Sequence, residues 1–284
     1  MVRGMLRRVI VAGGAVVVLG ACATAEVATP RPLETVAGSG QEMRTEPSPT
    51  PTPSPLGPAG VVPAAGEVGE IDVAELPPVI SSIPTGRKVV FLTIDDGWEQ
   101  DPGFAEQVLK QRIPVTVFAM RDAVEARGPI DPAAFGGKFV GAGGWSYFQD
   151  LGAPIENHTL THPDMRTLGF DGQKAEICGA SRAIYRRMGV RPTLFRPPFG
   201  NYNTDTLRAA KSCGIEAVLL WTASVQPGGK IAYQTPDKKL HPGDILLLHF
   251  RPNLARDFRV LVRKIKRRGF ELGNLDAYLH AAMR

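Results

Sequence analysis

The 284-residue sequence has little of several things. It holds three cysteines, five histidines and 7% aromatic residues, and its 33 Lys and Arg nearly balance 28 Asp and Glu. Cys22, Cys178 and Cys213 stand far apart, without the close pairs of a structural zinc site. The small basic surplus gives no electrostatic case for a nucleic-acid partner, and the chain is not an acidic disordered polymer. The apolar stretch near the N-terminus, Val9 to Ala21, is thirteen residues, shorter than the ~20 that a transmembrane helix needs. Proline, in contrast, is concentrated, with nine of 25 falling within residues 30–63.

What is present begins with an export signal. Arg3, Arg7 and Arg8 precede the uncharged stretch, and Leu19-Gly20-Ala21 stands directly before Cys22. This pattern predicts a secretory signal peptide over residues 1–21. A small-residue cleavage site ending in Cys resembles the bacterial lipobox. That resemblance implies a lipidated Cys22 and an exported chain anchored to the outer face of the bacterial cell membrane. Without residues 1–21 the balance is 30 basic against 28 acidic residues, so charge names no partner. Residues 22–84 are rich in Pro, Thr, Ser, Gly and Ala and poor in large apolar side chains. Such a stretch buries too little to offset its ordering entropy and is predicted to be a disordered, semi-extended tether. The globular domain is expected over 85–284.

From Arg87 onward, short apolar runs alternate with amphipathic ones. Val89–Ile94, Val115–Met120, Thr193–Arg196, Glu216–Trp221 and Ile245–Phe250 read as buried strands; Gly103–Lys110, Gly172–Met188, Thr204–Ser212 and Asp257–Arg268 read as helices. The alternation predicts an α/β fold with a parallel sheet. About 200 residues fall short of the ~250 of a complete eight-unit barrel, so an incomplete (β/α) barrel is expected. Arg121–Gly144, rich in Gly, Pro and Ala, reads as a long loop. Cys178 and Cys213 lie in helix-like stretches, and a disulfide and two separate buried thiols both fit. The basic residues from Arg263 to Arg268 read as a solvated helix C-terminus.

The chemistry is concentrated in a few residues. Asp95 and Asp96 follow an apolar strand in Thr93-Ile94-Asp95-Asp96-Gly97, and strand alternation predicts that their side chains diverge, one toward a metal and one free as a base. Read on a helical turn, His158 and His162 at i, i+4 point the same way and can share a metal. Arg196 heads Arg196-Pro197-Pro198-Phe199-Gly200 at the end of another strand, where its guanidinium is expected to grip a carboxylate bidentately. His249 ends the run from Ile245.

In this order, Thr93–Gly97, His158-Thr159-Leu160-Thr161-His162, Arg196–Gly200 and Leu247-Leu248-His249 resemble the polysaccharide deacetylase family, carbohydrate esterase family 4, over roughly residues 87–280. The resemblance implies a deformed (β/α) barrel with its site at the C-terminal ends of the strands. It implies a hydrolase that removes N-acetyl groups from an extracellular glycan, peptidoglycan or a poly-N-acetylglucosamine or chitin-like polymer. By the same resemblance, Asp96, His158 and His162 bind a divalent metal, Zn2+, and Asp95 is the catalytic base. His249 is the general acid, Arg196 orients Asp95, and Leu247 lines the pocket for the acetyl methyl. The Phe199 position contributes a backbone N–H to the oxyanion, and Trp98 and Trp221 are expected at the substrate.

One part of the pattern departs. Family members carry an Asp three residues after a Trp to support the acid histidine, whereas Trp221-Thr222-Ala223-Ser224 puts Ser224 there. Without that carboxylate, His249 is expected to be harder to protonate. The departure leaves room for a glycan-binding lipoprotein with weak or lost turnover, or for an esterase or amidase acting on another acetylated polymer. An Asp with two His also matches the facial triad of a non-haem iron oxygenase, against which the Arg-Pro-Pro turn and the α/β pattern argue.

Overall fold

The apolar run beginning at Val89 becomes strand β2 (Val89–Asp96), buried along its whole length, in a computed structural model that describes residues 59–127 and 137–283. Alternate side chains of β2 feed two cores. Val90, Leu92 and Ile94 pack with Phe104, Phe148, Leu248 and Phe258 on one face. Val89 and Phe91 pack with Ile80, Phe118, Ile245 and Tyr278 on the other. A strand covered on both faces reads as a continuous apolar run, which is why the sequence disclosed it.

The sheet runs β1 (Val79–Ile80), β6 (Ala217–Leu219), β5 (Leu194–Phe195), β4 (Ile155–Asn157), β3 (Thr116–Ala119), β2, β9 (Ile245–His249), β7 (Ala223–Gln226), β8 (Lys230–Tyr233), and β10 (Glu271–Leu272) pairs the start of β2. Among the named strands of the described residues, β7 and β8 alone pair antiparallel. The path is open at β1 and β8, so the curled sheet is the incomplete barrel that the alternation predicted. The helices α1 (Pro102–Gln111), α4 (Phe170–Met188), α5 (Thr204–Ser212) and α6 (Leu254–Arg267) coincide with the predicted ones to within a few residues. Asp101 caps α1 by accepting from the Gly103 N–H, and Pro102 follows at the first helical position.

The tether boundary is corrected. Residues 1–58, including the predicted signal segment and Cys22, lie outside the described residues. From Ala59 onward the chain packs on the domain. Ile80 and Ile83 are buried, β1 pairs β6 at Val79↔Val218, and the Ile71 N–H donates to Ala282 O at 2.7 Å. Tyr278 Oη donates to Glu67 at 2.6 Å. Apolar residues scattered among prolines and glycines carry no periodicity, so composition alone put the boundary at 84. The predicted loop Arg121–Gly144 starts instead with the short helix α2 (Arg121–Val124) and leads into α3 (Gly144–Leu151), with residues 128–136 outside the described set. Cys178 and Cys213 form a disulfide that joins α4 to α5, their Cα atoms 5.0 Å apart.

Candidate active site

The C-terminal ends of the parallel strands gather the polar residues. Asp95 and Asp96 end β2, His158 follows β4, Arg196 follows β5, and His249 ends β9 as the register partner of Asp95. Asp95, Asp96, Trp98, His158, His162, Phe199, Trp221, Ser224, Leu247 and His249 line one cleft of about 720 Å³, with Met120 among its walls. Phe199 is 64% exposed at the rim, φ 60°, and its ring stands edge-on to His162 at 4.8 Å.

Two geometric expectations are corrected here. The two carboxylates do not diverge. Asp96 has φ 79°, which breaks strand alternation, and Asp95 Oδ2 and Asp96 Oδ1 lie 3.7 and 3.6 Å from the same His158 Nε2. Gly97 completes this turn at φ 120°, where a Cβ would stand 2.9 Å from Val124 Cγ2. His158 and His162 share no helical turn either. They bound a loop in which Thr159 and His162 have φ 73° and 63°. That curl turns His162 Nε2 to within 3.7 Å of Asp96 Oδ1, the same oxygen that lies 3.6 Å from His158 Nε2.

The loop's backbone amides are all taken by side chains. Thr159 N–H donates to Asn157 Oδ1 at 2.9 Å, Leu160 and Thr161 N–H donate to Glu176 Oε2 at 2.9 Å each, and His162 N–H donates to Thr159 Oγ1 at 3.0 Å. Motif reading passes over Asn157 and Glu176. Asn157 sits directly before the first histidine, but Glu176 is a polar helix residue fifteen positions from Thr161, with no local signal.

Arg196 is fully buried and fixes Asp95. Its Nη1 donates to Asp95 Oδ1 at 2.7 Å and to Thr93 Oγ1 at 2.9 Å, while Nε and Nη2 donate to Leu219 O and Leu220 O at 3.2 Å. The expected bidentate grip is therefore a single contact, because the other nitrogens are committed to carbonyls. The guanidinium also lies 4.2 Å over the Phe118 ring. The Arg196 carbonyl orients the metal-site ring: His158 Nδ1–H donates to it at 2.7 Å, which leaves the Nε2 lone pair facing Asp96.

The electrostatics prepare three donors and no internal partner for them. Burial and then the neighbouring Asp95 charge push the Asp96 carboxyl up to about 8. Burial lowers His158, and burial followed by the nearby His158 lowers His162 to about 4, so both imidazoles are neutral at pH 7 with lone pairs available. Asp96 Oδ1 is buried without any hydrogen-bond partner, a costly arrangement unless something positive meets it. The ligand atoms of Asp96, His158 and His162 lie within 4.8 Å of one another. Two neutral imidazoles and an orphaned carboxylate oxygen fit a divalent cation with an open position.

The opposite wall is different. His249 is solvent-exposed at the cleft, and desolvation by its surroundings lowers its pKa, with Asp95 opposing and Arg196 and Arg251 adding to the lowering. Ser224 lies opposite Leu247 in the β7–β9 pairing, and its Oγ accepts from Gln226 Nε2 at 3.1 Å. Among the described residues no carboxylate bonds to the His249 ring.

Residues 82–218 match the family model described as polysaccharide deacetylase. An uncharacterised protein of Streptomyces coelicolor, SCO4760, is 42% identical over 208 residues, covering 72% of this chain and 78% of its own. The peptidoglycan-N-acetylmuramic acid deacetylase PdaA of Bacillus subtilis is 28% identical, covering 68% of this chain and 72% of its own. In structure, the wild-type BA3943 pseudoenzyme of family 4 from Bacillus anthracis aligns with TM-score 0.58 at 22% identity, over 72% of this chain and 69% of that one. The motifs, the curled sheet and these relatives agree, and this chain belongs to the polysaccharide deacetylase family, carbohydrate esterase family 4, as a hydrolase of that family.

Proposed function

We propose that this hydrolase removes N-acetyl groups from an extracellular glycan, peptidoglycan or a poly-N-acetylglucosamine or chitin-like polymer, with Zn2+ held by Asp96, His158 and His162. One observation carries the reading: the unpartnered, buried Asp96 Oδ1 faces two imidazole nitrogens beside an anchored Asp95. A divalent cation in that place supplies Lewis acidity, lowering the pKa of a water and polarising the acetamide carbonyl.

The chain's own residues do the rest. Asp95, oriented by Arg196 Nη1, takes the water's proton as the water oxygen attacks the carbonyl carbon. The Phe199 N–H donates to the developing oxyanion. Leu247 packs against the acetyl methyl, and Trp98 and Trp221 flank the sugar. His249 protonates the nitrogen as the C–N bond breaks, so the products are acetate and a free amine. The name of the Bacillus subtilis relative supports peptidoglycan as the polymer.

We read residues 1–21 as an export signal and Cys22 as a lipid anchor to the outer face of the cell membrane. The Cys178–Cys213 disulfide supports an oxidising compartment. The partner in this reading is the glycan and the membrane through the anchor, with no nucleic acid. A second reading, a glycan-binding lipoprotein with little turnover, is favoured by the unsupported His249, and a third directs the same site to an ester or amide of another acetylated polymer.

Acetate release by the purified full-length chain tests this, on N-acetylglucosamine oligomers, peptidoglycan and acetylated xylan, without metal and with Zn2+ or Co2+. Metal-dependent release that Asp95→Asn abolishes while the metal stays bound is the expected result. Release from xylan alone favours the esterase, and metal binding without any release favours the binder.

A further inference from the structure

Four consecutive amides between the two metal-site histidines are each capped by a side-chain oxygen, and Glu176 alone takes two of them. Its other oxygen accepts from Thr161 Oγ1 at 2.8 Å. This is expensive backbone to hold. Thr159 and His162 both have positive φ, a region that costs a residue with a Cβ of order 1–3 kcal/mol unless its surroundings determine it. Without those caps the loop has no reason to present both Nε2 atoms to Asp96.

The helix that carries Glu176 is itself shaped to this loop. On the same face one turn on, a Cβ at Gly179 would stand 2.5 Å from Leu160 Cδ1, so the loop's Leu160 side chain seats directly against the helix at this glycine. Asn157 Nδ2 donates to Ile177 O and to Ser181 Oγ, both at 2.8 Å, tying the residue before His158 to the same stretch of helix. Cys178, two residues from Glu176, is turned about 200° around the helix and is bonded to Cys213 beyond the end of α5. The turn of α4 from 176 to 181 thus holds the metal loop on one side and the disulfide on the other.

We propose that Glu176 is a positioning residue for the metal site, and that the Cys178–Cys213 disulfide holds it in place, so that full metal affinity is reached only after the disulfide forms. The inference rests on the metal-site reading above, and goes beyond it by making the site conditional on a crosslink outside the cleft. Formation of the bond removes two electrons and two protons from the thiols, taken up by an external disulfide that becomes two thiols. The oxidising compartment in which such bonds persist is then where the site becomes competent.

The test is the zinc dissociation constant of the full-length chain by chelator competition. It is measured on wild type, Glu176→Ala, Glu176→Gln and the double variant Cys178→Ser/Cys213→Ser, at a temperature where circular dichroism shows each folded. Serines replace the cysteines because free thiols would bind zinc themselves. The expected result is a 10- to 100-fold loss of affinity for Glu176→Ala and a smaller loss for the double variant. Glu176→Gln keeps an acceptor oxygen and stays near wild type. At saturating zinc, KM for glycan is unchanged in all four. Equal affinity in wild type and Glu176→Ala overturns the positioning role, and equal affinity in the double variant overturns the dependence on the disulfide. If Glu176→Ala does not fold, Glu176→Asp, one methylene short of the loop amides, carries the same two outcomes. A wild type that binds no zinc breaks the metal-site reading itself, a result distinct from all of these.

Discussion

The two walls of the cleft are built to different standards. On the metal side, Asp95 is held by Arg196, Arg196 by Thr93 and two carbonyls, His158 by the Arg196 carbonyl, and the loop to His162 by Asn157 and Glu176. On the acid side, His249 has no hydrogen-bonding side chain among the described residues, and Ser224 bonds only its own strand neighbour Gln226. In the proposed reaction, preorganisation is concentrated where the attacking water would be activated, while the imidazole that would protonate the leaving nitrogen is lowered by desolvation and has no bonded carboxylate to raise it. The difference predicts that attack is well prepared and that amine departure limits the rate.

The largest effect should come from undoing the prepared wall. Arg196→Leu leaves the Asp95 carboxylate buried without its cation, an uncompensated charge of the kind that costs about 3–5 kcal/mol. Urea unfolding should show that loss, and acetate release should fall to background. The His158 ring should keep its anchor in this variant, because its Nδ1 partner is the backbone carbonyl of residue 196, which the substitution leaves in place. Unchanged stability with lost activity would mean that Arg196 acts on the reaction without holding the wall together.

The next effect, in the opposite direction, should come from building up the poor wall. Ser224 lies opposite Leu247 in the β7–β9 pairing and lines the cleft that His249 ends. Ser224→Asp places a carboxylate beside the imidazole, which favours its protonated form. A general acid whose pKa rises by about one unit is protonated about tenfold more often above both values. The alkaline limb of kcat/KM should therefore move up by about one pH unit, with KM little changed. A profile that does not move would show that His249 is not the limiting acid and that the asymmetry of the walls has no kinetic meaning.

How much of this was legible follows the same division. Strands β2, β3 and β9 declared themselves because burial on both faces leaves runs of mostly apolar residues. Strand β7, with Ser224 and Gln226 among its four residues, and the two-residue β1 after a proline-rich stretch carried no comparable signal. Asp95, Asp96, His158, His162, Arg196 and His249 were legible as types in an order, but their geometry was not. The positive φ at Asp96 and Thr159 depends on tertiary packing, which is why alternation misdirected the carboxylates and a helical turn misdirected the histidines. The bond from Arg196 to Thr93 spans 103 residues, and the bonds from Glu176 to the metal loop cross from helix to loop. Such pairings have no local signature.

The smallest effect is a pH dependence of the prepared wall in the metal-free protein. Asp96 has its folded pKa raised to about 8, so its neutral form is favoured by folding; that stability is present below its usual carboxylate pKa and is lost as pH rises through about 8. His162 runs the other way. Its folded pKa is depressed to about 4, so its contribution is present above its usual value of about 6.5 and is lost as pH falls toward 4. His158, also lowered by burial, adds to that acid-side loss. Between about 7.5 and 8.5 the histidine contributions are nearly constant while Asp96 and Glu156, whose carboxyl burial also pushes up to about 8, both change, so the urea midpoint measured in chelator should decline across that interval, and less steeply in Asp96→Asn. Saturating Zn2+ should remove the Asp96 share of the decline, because a cation bound at Asp96 favours the ionised carboxylate and binds the folded chain alone. A midpoint that stays level in chelator would show that Asp96 is already ionised and partnered without metal, and the prepared wall would then owe its order to something other than a waiting cation.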